Sequence, residues 1–217
     1  MQIDINSETL FLDKAGAAWW PSQGTLVFAD LHFEKGSSYA RGGQFLPPYD
    51  TRATLARMQD TIARHMPSRV IALGDSFHDP DAADRLADVE RALLSNLCSS
   101  TDWTWIAGNH DPVPPRWLGG RVTDEFRLGS LVFRHEPSIM AQPGEVAGHL
   151  HPCATVTKWG RTVRRRCFVS DGTRMILPSF GAYTGGLDVR DGAIAGLFAP
   201  GFFTYMLGAT RVYAIAA

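Results

Sequence analysis

The sequence has little cysteine and lacks a long apolar run. Among its 217 residues the cysteines are Cys98, Cys153 and Cys167, and no Cys-x-x-Cys pair occurs. A disulfide framework and a cysteine zinc site are therefore not expected, and a reducing cytoplasm fits this composition. The first ten residues include acidic side chains and no apolar segment typical of a signal peptide. The apolar C-terminal stretch is interrupted by glycine and arginine, so no membrane span is predicted.

A strong net charge is also missing. The formal net charge is −1, so the molecule as a whole carries no cationic excess that would indicate nucleic-acid binding. The charge is uneven, however, with −5 over residues 1–120 and +4 over residues 121–217. This asymmetry favours a polyanion-facing side in the second half. Apolar residues make up 45% of the chain, enough to bury the core of one domain spanning residues 1–217.

Short apolar runs alternate with helical patterns through the first 110 residues. One helix is predicted to begin at a cap on Asp50 or Thr51, and a second is predicted over residues 81–97. After them short strands dominate, at about 121–127, 130–135, 145–150, 154–159, 163–170 and 175–178, with one or two more within 202–216. This order predicts an α/β (α+β) protein, with a mixed sheet or a two-sheet sandwich flanked by helices.

Polar clusters follow five of the apolar runs at their carboxyl ends. Ligands bind beyond the carboxyl ends of strands in open α/β sheets, so the five loops are expected to converge. Their side chains are carboxylates, imidazoles and a carboxamide without a thiolate, a mixture that suits manganese, iron or zinc. The clusters are Asp30-Leu31-His32, Gly74-Asp75, Gly108-Asn109-His110-Asp111, His135 and Gly148-His149-Leu150-His151.

In this order the clusters resemble the signature of the calcineurin-like metallophosphoesterases, over residues 30–151. The resemblance implies a four-layer αββα sandwich, two mixed sheets flanked by helices. It also implies a phosphoesterase in which a hydroxide activated by two metal ions attacks phosphorus. Carried over by position, it makes His110 the donor of a proton to the leaving oxygen and Asp111 the residue that orients the His110 ring. It further implies a first metal on Asp30, His32 and His151, a second on Asn109, His135 and His149, and Asp75 as the bridge.

The sequence departs from the family after Asp79. In many members an arginine that binds phosphate follows the motif that here begins at Gly74-Asp75 and ends at Asp79. This chain instead reads His78-Asp79-Pro80-Asp81 and has no arginine there. The absence argues against a phosphoprotein phosphatase and leaves the phosphate clamp open. His78 is a candidate for part of that clamp.

The surroundings of the first motif are similar to a narrower bacterial group, the ligase-associated DNA damage response endonucleases (the PdeM group). The similarity lies in Ala29-Asp30-Leu31-His32-Phe33-Glu34-Lys35-Gly36 and in Phe45-Leu46-Pro47-Pro48-Tyr49-Asp50-Thr51. It implies a manganese-dependent phosphodiesterase that nicks single-stranded DNA in DNA repair, with a functional association with a DNA ligase and a helicase.

A basic segment, Lys158–Arg166, supports nucleic-acid binding independently of that similarity. It contains five basic residues and Trp159, and it closely follows the His149/His151 loop. Cations beside an aromatic ring suit a single strand, so Arg164 and Arg166 are predicted to bind substrate. The alternative is a solvated hairpin, in which strand alternation directs Arg165 to the opposite face.

Two other functions fit the sequence. One is a phosphoesterase acting on a small nucleotide or diester, and the other is a non-catalytic binding scaffold with a degenerate metal site. DNA, RNA and a small diester stay open as substrates, and so do the metal used in the cell, the path of a nucleic acid and the oligomeric state.

Overall fold

The protein is described here by a computed structural model that covers residues 1–140, 142–198 and 201–216. The α-helices are α1 (Lys35–Arg41), α2 (Asp50–His65), α3 (Asp88–Ser99) and α4 (Gly192–Ala195), and 3-10 turns span Pro21–Gln23, Ala82–Arg85 and Arg116–Leu118. The strands are β1 (Gln2–Ile5), β2 (Glu8–Leu12), β3 (Ala18–Trp20), β4 (Thr25–Phe28), β5 (Arg69–Leu73), β6 (Asp102–Ile106), β7 (Arg121–Thr123), β8 (Glu125–Leu128), β9 (Leu131–Arg134), β10 (Glu145–Ala147), β11 (Cys153–Lys158), β12 (Arg161–Ser170), β13 (Met175–Ile176), β14 (Phe203–Leu207) and β15 (Val212–Ala216).

The strands form two mixed sheets. In the first sheet β1 to β7 follow one another in chain order, with β1 to β4 antiparallel and β4 to β7 parallel. In the second sheet the order is β15-β14-β12-β13-β10-β9-β8, and β11 pairs with β12 in a hairpin. Strands β9, β10 and β13 of this sheet are parallel. Each sheet therefore has a set of parallel strands whose carboxyl ends lie at one edge.

Side-chain alternation along the strands builds the four layers. In β4, Phe28 packs against helix residues such as Leu55 on one face, while Val27 faces the second sheet. In β12, Phe168 faces the first sheet and Val169 packs outward against Ile194 of α4. The predicted two mixed sheets flanked by helices are thus confirmed, although α4 and its neighbouring loops make the helical layer on the second sheet thin.

The helix at residue 50 is confirmed, but its predicted cap is wrong. Helix α2 begins at Asp50, and neither Asp50 nor Thr51 caps it. The backbone N–H of Gly36 donates to Asp50 Oδ2, at 2.9 Å, and the N–H of Glu34 donates to Thr51 Oγ1, at 2.8 Å. These two side chains accept hydrogen bonds from buried N–H groups at the start of the neighbouring helix α1. The sequence pattern did not predict these contacts.

The predicted helix over 81–97 is interrupted. A 3-10 turn at Ala82–Arg85 is followed by extended backbone at Leu86 and Ala87, and only then by α3. The buried face of α3 carries Leu94 and Cys98, while Val89 is exposed. Among the described residues, no helix has the length and apolar character to cross a membrane.

Candidate metal centre

The predicted ligands lie together at the carboxyl ends of parallel strands from both sheets. The loops after β4, β5 and β6 supply ligands from the first sheet, and the loops after β9 and β10 supply the rest. In the Asp-Leu-His loop, the side chain of Leu31 enters the core, so the residues on either side of it face the centre. The convergent side chains are Asp30, His32, Asp75, Asn109, His135, His149 and His151.

The first group of ligand atoms is formed by Asp30, His32 and His151, which all lie within 4.8 Å of one another. The Nε2 atoms of His32 and His151 face each other at 3.3 Å, and Asp30 Oδ1 lies 3.3 Å from His151 Nε2. Burial and the neighbouring His151 lower the pKa of His32 to about 2, so this ring is neutral. Imidazole nitrogens turned toward each other beside a carboxylate are suited to a cation between them.

The second group contains Asp75, His135 and His149, also within 4.8 Å of one another. His135 Nε2 lies 3.1 Å from His149 Nδ1 and 2.9 Å from Asn109 Oδ1. A carboxylate oxygen, two imidazole nitrogens and an amide oxygen thus point at one volume. These donor types suit a first-row divalent metal.

Asp75 lies between the two groups. Its Oδ2 is 3.8 Å from His32 Nε2, and its Oδ1 is 3.4 Å from His135 Nε2. The backbone N–H of His110 also donates to Oδ1, at 2.9 Å, and fixes the orientation of the carboxylate. One oxygen therefore faces each group, which is the arrangement that a bridging ligand needs.

The charges of the centre favour cations. Burial opposes ionisation of Asp75, but its hydrogen bond with His135 and the charge of His135 hold the pKa of that carboxyl well below its usual range. Burial likewise lowers the pKa of His135, but Asp75 and Asp30 outweigh it and raise that pKa to about 9. Two buried carboxylates thus stabilise positive charge here, and with the facing nitrogens they fit two divalent metal ions.

His78 contacts a predicted ligand. Its Nδ1 lies 3.2 Å from His32 Nδ1, on the side of the His32 ring away from His151, and its ring stacks on His110 with centroids 5.0 Å apart. Such partners fix the orientation of metal-binding imidazoles. Only Nε2 of His78 is free of these contacts, so its part in the phosphate clamp stays a prediction.

His110 is positioned by a different group from the one predicted. Its Nδ1 pairs with the carbonyl oxygen of His78 at 2.7 Å. The Asp111 carboxylate instead accepts hydrogen bonds from the backbone N–H groups of Ser76 and Phe77, and burial raises its pKa to about 7. The expectation that Asp111 orients the His110 ring is therefore wrong. Asp111 holds the loop that carries Asp75, and the His110 side chain is 39% exposed.

Five of the seven predicted ligands have left-handed backbone. Their φ angles are 52° for Asp30, 45° for His32, 46° for Asp75, 68° for His149 and 48° for His151. Residues other than glycine adopt this region at a cost of about 1–2 kcal/mol each. The surrounding hydrogen bonds hold them there, as when the N–H of His149 donates to Asp30.

Two motif glycines are required because ligands pack directly on them. A Cβ at Gly108 would lie 2.1 Å from the backbone nitrogen and 2.3 Å from Oδ1 of Asp75. A Cβ at Gly148 would lie 2.6 Å from Oδ2 of Asp30. Gly108 thus lets the loop after β6 approach the carboxylate of Asp75. Gly148 lets the loop after β10 approach the carboxylate of Asp30.

Gly108→Ala is expected to lower both stability and activity, because the new methyl group displaces Asp75. Overpacking of this kind costs roughly 1–3 kcal/mol, and more where backbone must move. The matched control is Gly192→Ala, where a Cβ meets no atom within 4 Å. Urea unfolding of both variants measures the difference, and equal stabilities would contradict the packing argument.

The two predicted substrate-binding arginines differ in exposure. Arg164 is exposed and donates to the carbonyl oxygen of Gly186 at 2.6 Å. Arg166 is turned inward and donates to the carbonyl oxygens of Ser179 and Ala182, at 3.0 and 2.9 Å. Arg166 therefore positions the loop after β13 and has few donors left for a strand. The sequence pattern gave no signal for this, because the carbonyls lie 13 to 18 residues away.

Lys35 is a further cation near the centre, to which the sequence pattern gave no role. Burial and the neighbouring Arg166 lower the pKa of Lys35, while Asp75 and Asp50 raise it. It lies at the start of α1, which tertiary contacts with Asp50 and Thr51 hold in place. Lys35 is close enough to the predicted ligands Asp75 and His32 to interact with them electrostatically.

Comparison with known proteins gives a family and several structural relatives. The family model described as calcineurin-like phosphoesterase matches residues 25–172, which include every predicted ligand. The crystal structure of Pseudomonas putida nuclease MPE is similar to this chain, with 31% identity, 99% of each chain covered and a TM-score of 0.76. Yfce, a phosphoesterase from E. coli, shares 14% identity over 88% of this chain and 98% of its own, with a TM-score of 0.45. No curated protein sequence matches.

Proposed function

The chain belongs to the calcineurin-like phosphoesterase family, and on that premise we propose that it is a phosphodiesterase that nicks single-stranded DNA. The coarser statement, a metal-dependent hydrolase of phosphate esters with a binuclear divalent metal centre, follows from the family and the ligand groups. Support for a nucleic-acid substrate comes from the full-length similarity to the P. putida nuclease. A role in DNA repair, beside a ligase and a helicase, and the use of manganese belong to the same proposal.

The centre divides its ligands between two metal ions. Asp30, His32 and His151 would hold one ion, and Asn109, His135 and His149 the other, with Asp75 shared. When bound, two divalent ions acidify water and neutralise charge on the phosphate oxygens. The carboxylates of Asp30 and Asp75 keep this volume negative, and His78 and the His110 N–H fix the rings and carboxylates around it.

His110 supplies the proton in this scheme. With Nδ1 fixed by the carbonyl of His78, Nε2 lies 3.9 Å from Asp75 Oδ2, at the exposed side of the centre. A protonated ring can donate from Nε2 to the oxygen that leaves phosphorus. The stacked His78 ring limits its rotation, so that proton is held in one direction.

Two observations about cations support an extended diester as the substrate. No arginine follows Asp79 in the motif, and the nearby Arg85 forms an ion pair with Asp79. A terminal dianionic phosphate therefore lacks the usual arginine clamp. Exposed cations on the β11–β12 hairpin, with Trp159 90% exposed at its turn, suit an extended strand.

The expected result of a substrate panel in manganese is preference for diesters. Single-stranded DNA and an aryl phosphodiester should exceed an aryl phosphomonoester in kcat/KM by about tenfold or more, a difference of about 1.4 kcal/mol in transition-state binding. Duplex DNA should be cut more slowly than the single strand, because paired bases cannot stack on aromatic side chains.

The same panel distinguishes the alternatives. A tenfold preference for the monoester would rule out the proposed substrate class. Hydrolysis of the aryl diester without cleavage of DNA would favour a small nucleotide or diester as substrate. A protein that holds metal but hydrolyses nothing in the panel would be a binding scaffold.

A further inference from the structure

A cationic cleft lies beside the metal centre. It has a volume of about 510 Å³ and lies between the β11–β12 hairpin, α2 and the loop at 184–186. Its charged lining residues are all cations, and among the described residues that line it there is no carboxylate. These cations are Lys14, Arg57, Arg164, Arg165 and Arg166.

Arg57 is a partly buried charge without a compensating partner in the described part of the chain. Its Nε and Nη2 atoms are buried and have no hydrogen-bond partner among the described residues, and its guanidinium packs over Phe180 at 4.4 Å from the ring centroid. Burial and the neighbouring Arg166 lower its pKa to about 10, so the group is still charged at neutral pH. A partly buried cation without an acidic partner is costly, and an anion in the cleft would offset that cost.

Arg166 adds a second uncompensated charge. Its donors are used by backbone carbonyls, which satisfy its hydrogen bonds but do not neutralise it. Burial lowers the pKa of Arg166 as well. Two neighbouring guanidinium groups repel each other, and an anion bound between them would be attracted by both.

The cleft is one loop away from the metal ligands. Gly186, in its lining, packs so closely on the carbonyl oxygen of His151 that a Cβ there would lie 2.0 Å from it. Arg166 also holds the loop whose Phe180 and Gly181 N–H groups donate to the carbonyls of Ala29 and Asp30. A strand that crosses the metal centre can therefore continue into the cleft.

We infer that this cleft is a second anion site, which binds a backbone phosphate of the strand at a nucleotide other than the one cleaved. The inference rests on the proposed function for the identity of the strand. Arg57 supplies the charge at its base, and Arg164 and Arg165 supply the charges nearer solvent. The site anchors a strand without reading its sequence, since phosphate contacts carry no base information.

The test compares Arg57→Gln with Arg52→Gln, a matched control at an exposed arginine of the same helix. The manganese-loaded proteins are titrated with a cleavage-resistant phosphorothioate single strand, and Kd is followed by fluorescence anisotropy over a range of salt. Arg57→Gln should raise Kd about tenfold and reduce the salt slope by about 0.7, the value for one phosphate contact on a single strand. Arg164→Gln, at an exposed position, gives a second variant if Arg57→Gln does not fold. Turnover of an aryl diester normalises each preparation for an intact metal centre.

Wild-type Kd and salt slope in both cleft variants would overturn the second site. If the wild type itself neither binds nor cuts the strand but hydrolyses the aryl diester, the proposed DNA activity fails. Binding of an anion in the cleft is then tested with inorganic phosphate. A phosphate-dependent rise in Tm that is smaller in Arg57→Gln than in Arg52→Gln supports the site for a free phosphate. Equal rises in the two variants overturn it, because the metal centre is common to both.

Discussion

Asp75→Ala is expected to abolish phosphodiester hydrolysis while leaving the fold largely intact. One oxygen of this carboxylate faces each group of ligands, so its removal takes a donor from both. Loss of even one preorganised charge-stabilising group costs about 10²–10³ in kcat, and here both metal ions are affected. We therefore expect a decrease in kcat on the order of a thousandfold or more, accompanied by loss of bound metal.

Elemental analysis of the purified variant measures that loss directly. The control is Asp81→Ala, which removes an exposed carboxylate from the same loop. In the wild type this carboxylate pairs with Arg41. That variant should keep two metal ions per chain and near wild-type turnover. A fully active wild-type preparation with at most one metal ion per chain would contradict the binuclear centre.

His110→Ala is expected to slow DNA cleavage far more than hydrolysis of a nitrophenyl diester. General acid catalysis contributes about 10²–10⁴ where the leaving group needs a proton. The alkoxide released from DNA needs one, whereas nitrophenolate leaves readily without it. The expected loss is about a hundredfold or more on DNA and about tenfold or less on the aryl diester.

The leaving-group comparison separates proton donation from damage to the centre. Because the backbone N–H of His110, and not its ring, holds Asp75, the alanine variant keeps that hydrogen bond. Its metal content should therefore match the wild type. Equal losses on both substrates at unchanged metal content would show that His110 is not the proton donor. His65→Asn, which removes an imidazole that contacts Asp13, controls for loss of a histidine as such.

The sequence predicted the fold class and the set of convergent side chains because both depend on local patterns. Apolar runs before the polar clusters of Asp30 and Gly74-Asp75 form the parallel strands β4 and β5. The carboxyl ends of parallel strands lie at one edge of a sheet. The residues that follow these strands therefore lie close together, whatever path the connecting segments take. The resemblance to the family then gave a division of the ligands between two metals, and this division stays a prediction beside the groups of donor atoms that the structure brings together.

Contacts between distant residues could not be predicted in the same way. The start of helix α1 depends on Asp50 and Thr51, which belong to the following helix α2. Their side-chain oxygens accept hydrogen bonds from N–H groups at the start of α1. Arg166 looked like a free cation on a strand, but its partners lie in a loop whose conformation no pattern specifies. The role of Asp111 likewise differs from expectation, since which group meets the His110 ring depends on how two loops pack. The sequence did not indicate a binding role for Arg57, because an arginine on a helix is usually exposed and its burial is known only from the structure.

The left-handed backbone of five ligands has a consequence for the protein in the cell. Without metal, the loops that carry these residues keep their conformational strain and lose the coordinate bonds that offset it. Metal binding stabilises only the folded chain, so its contribution grows with the concentration of free metal. When metal is scarce we expect these loops to open first, and an open loop is a substrate for proteases. The abundance of the protein, and not only its turnover, is therefore expected to follow metal supply.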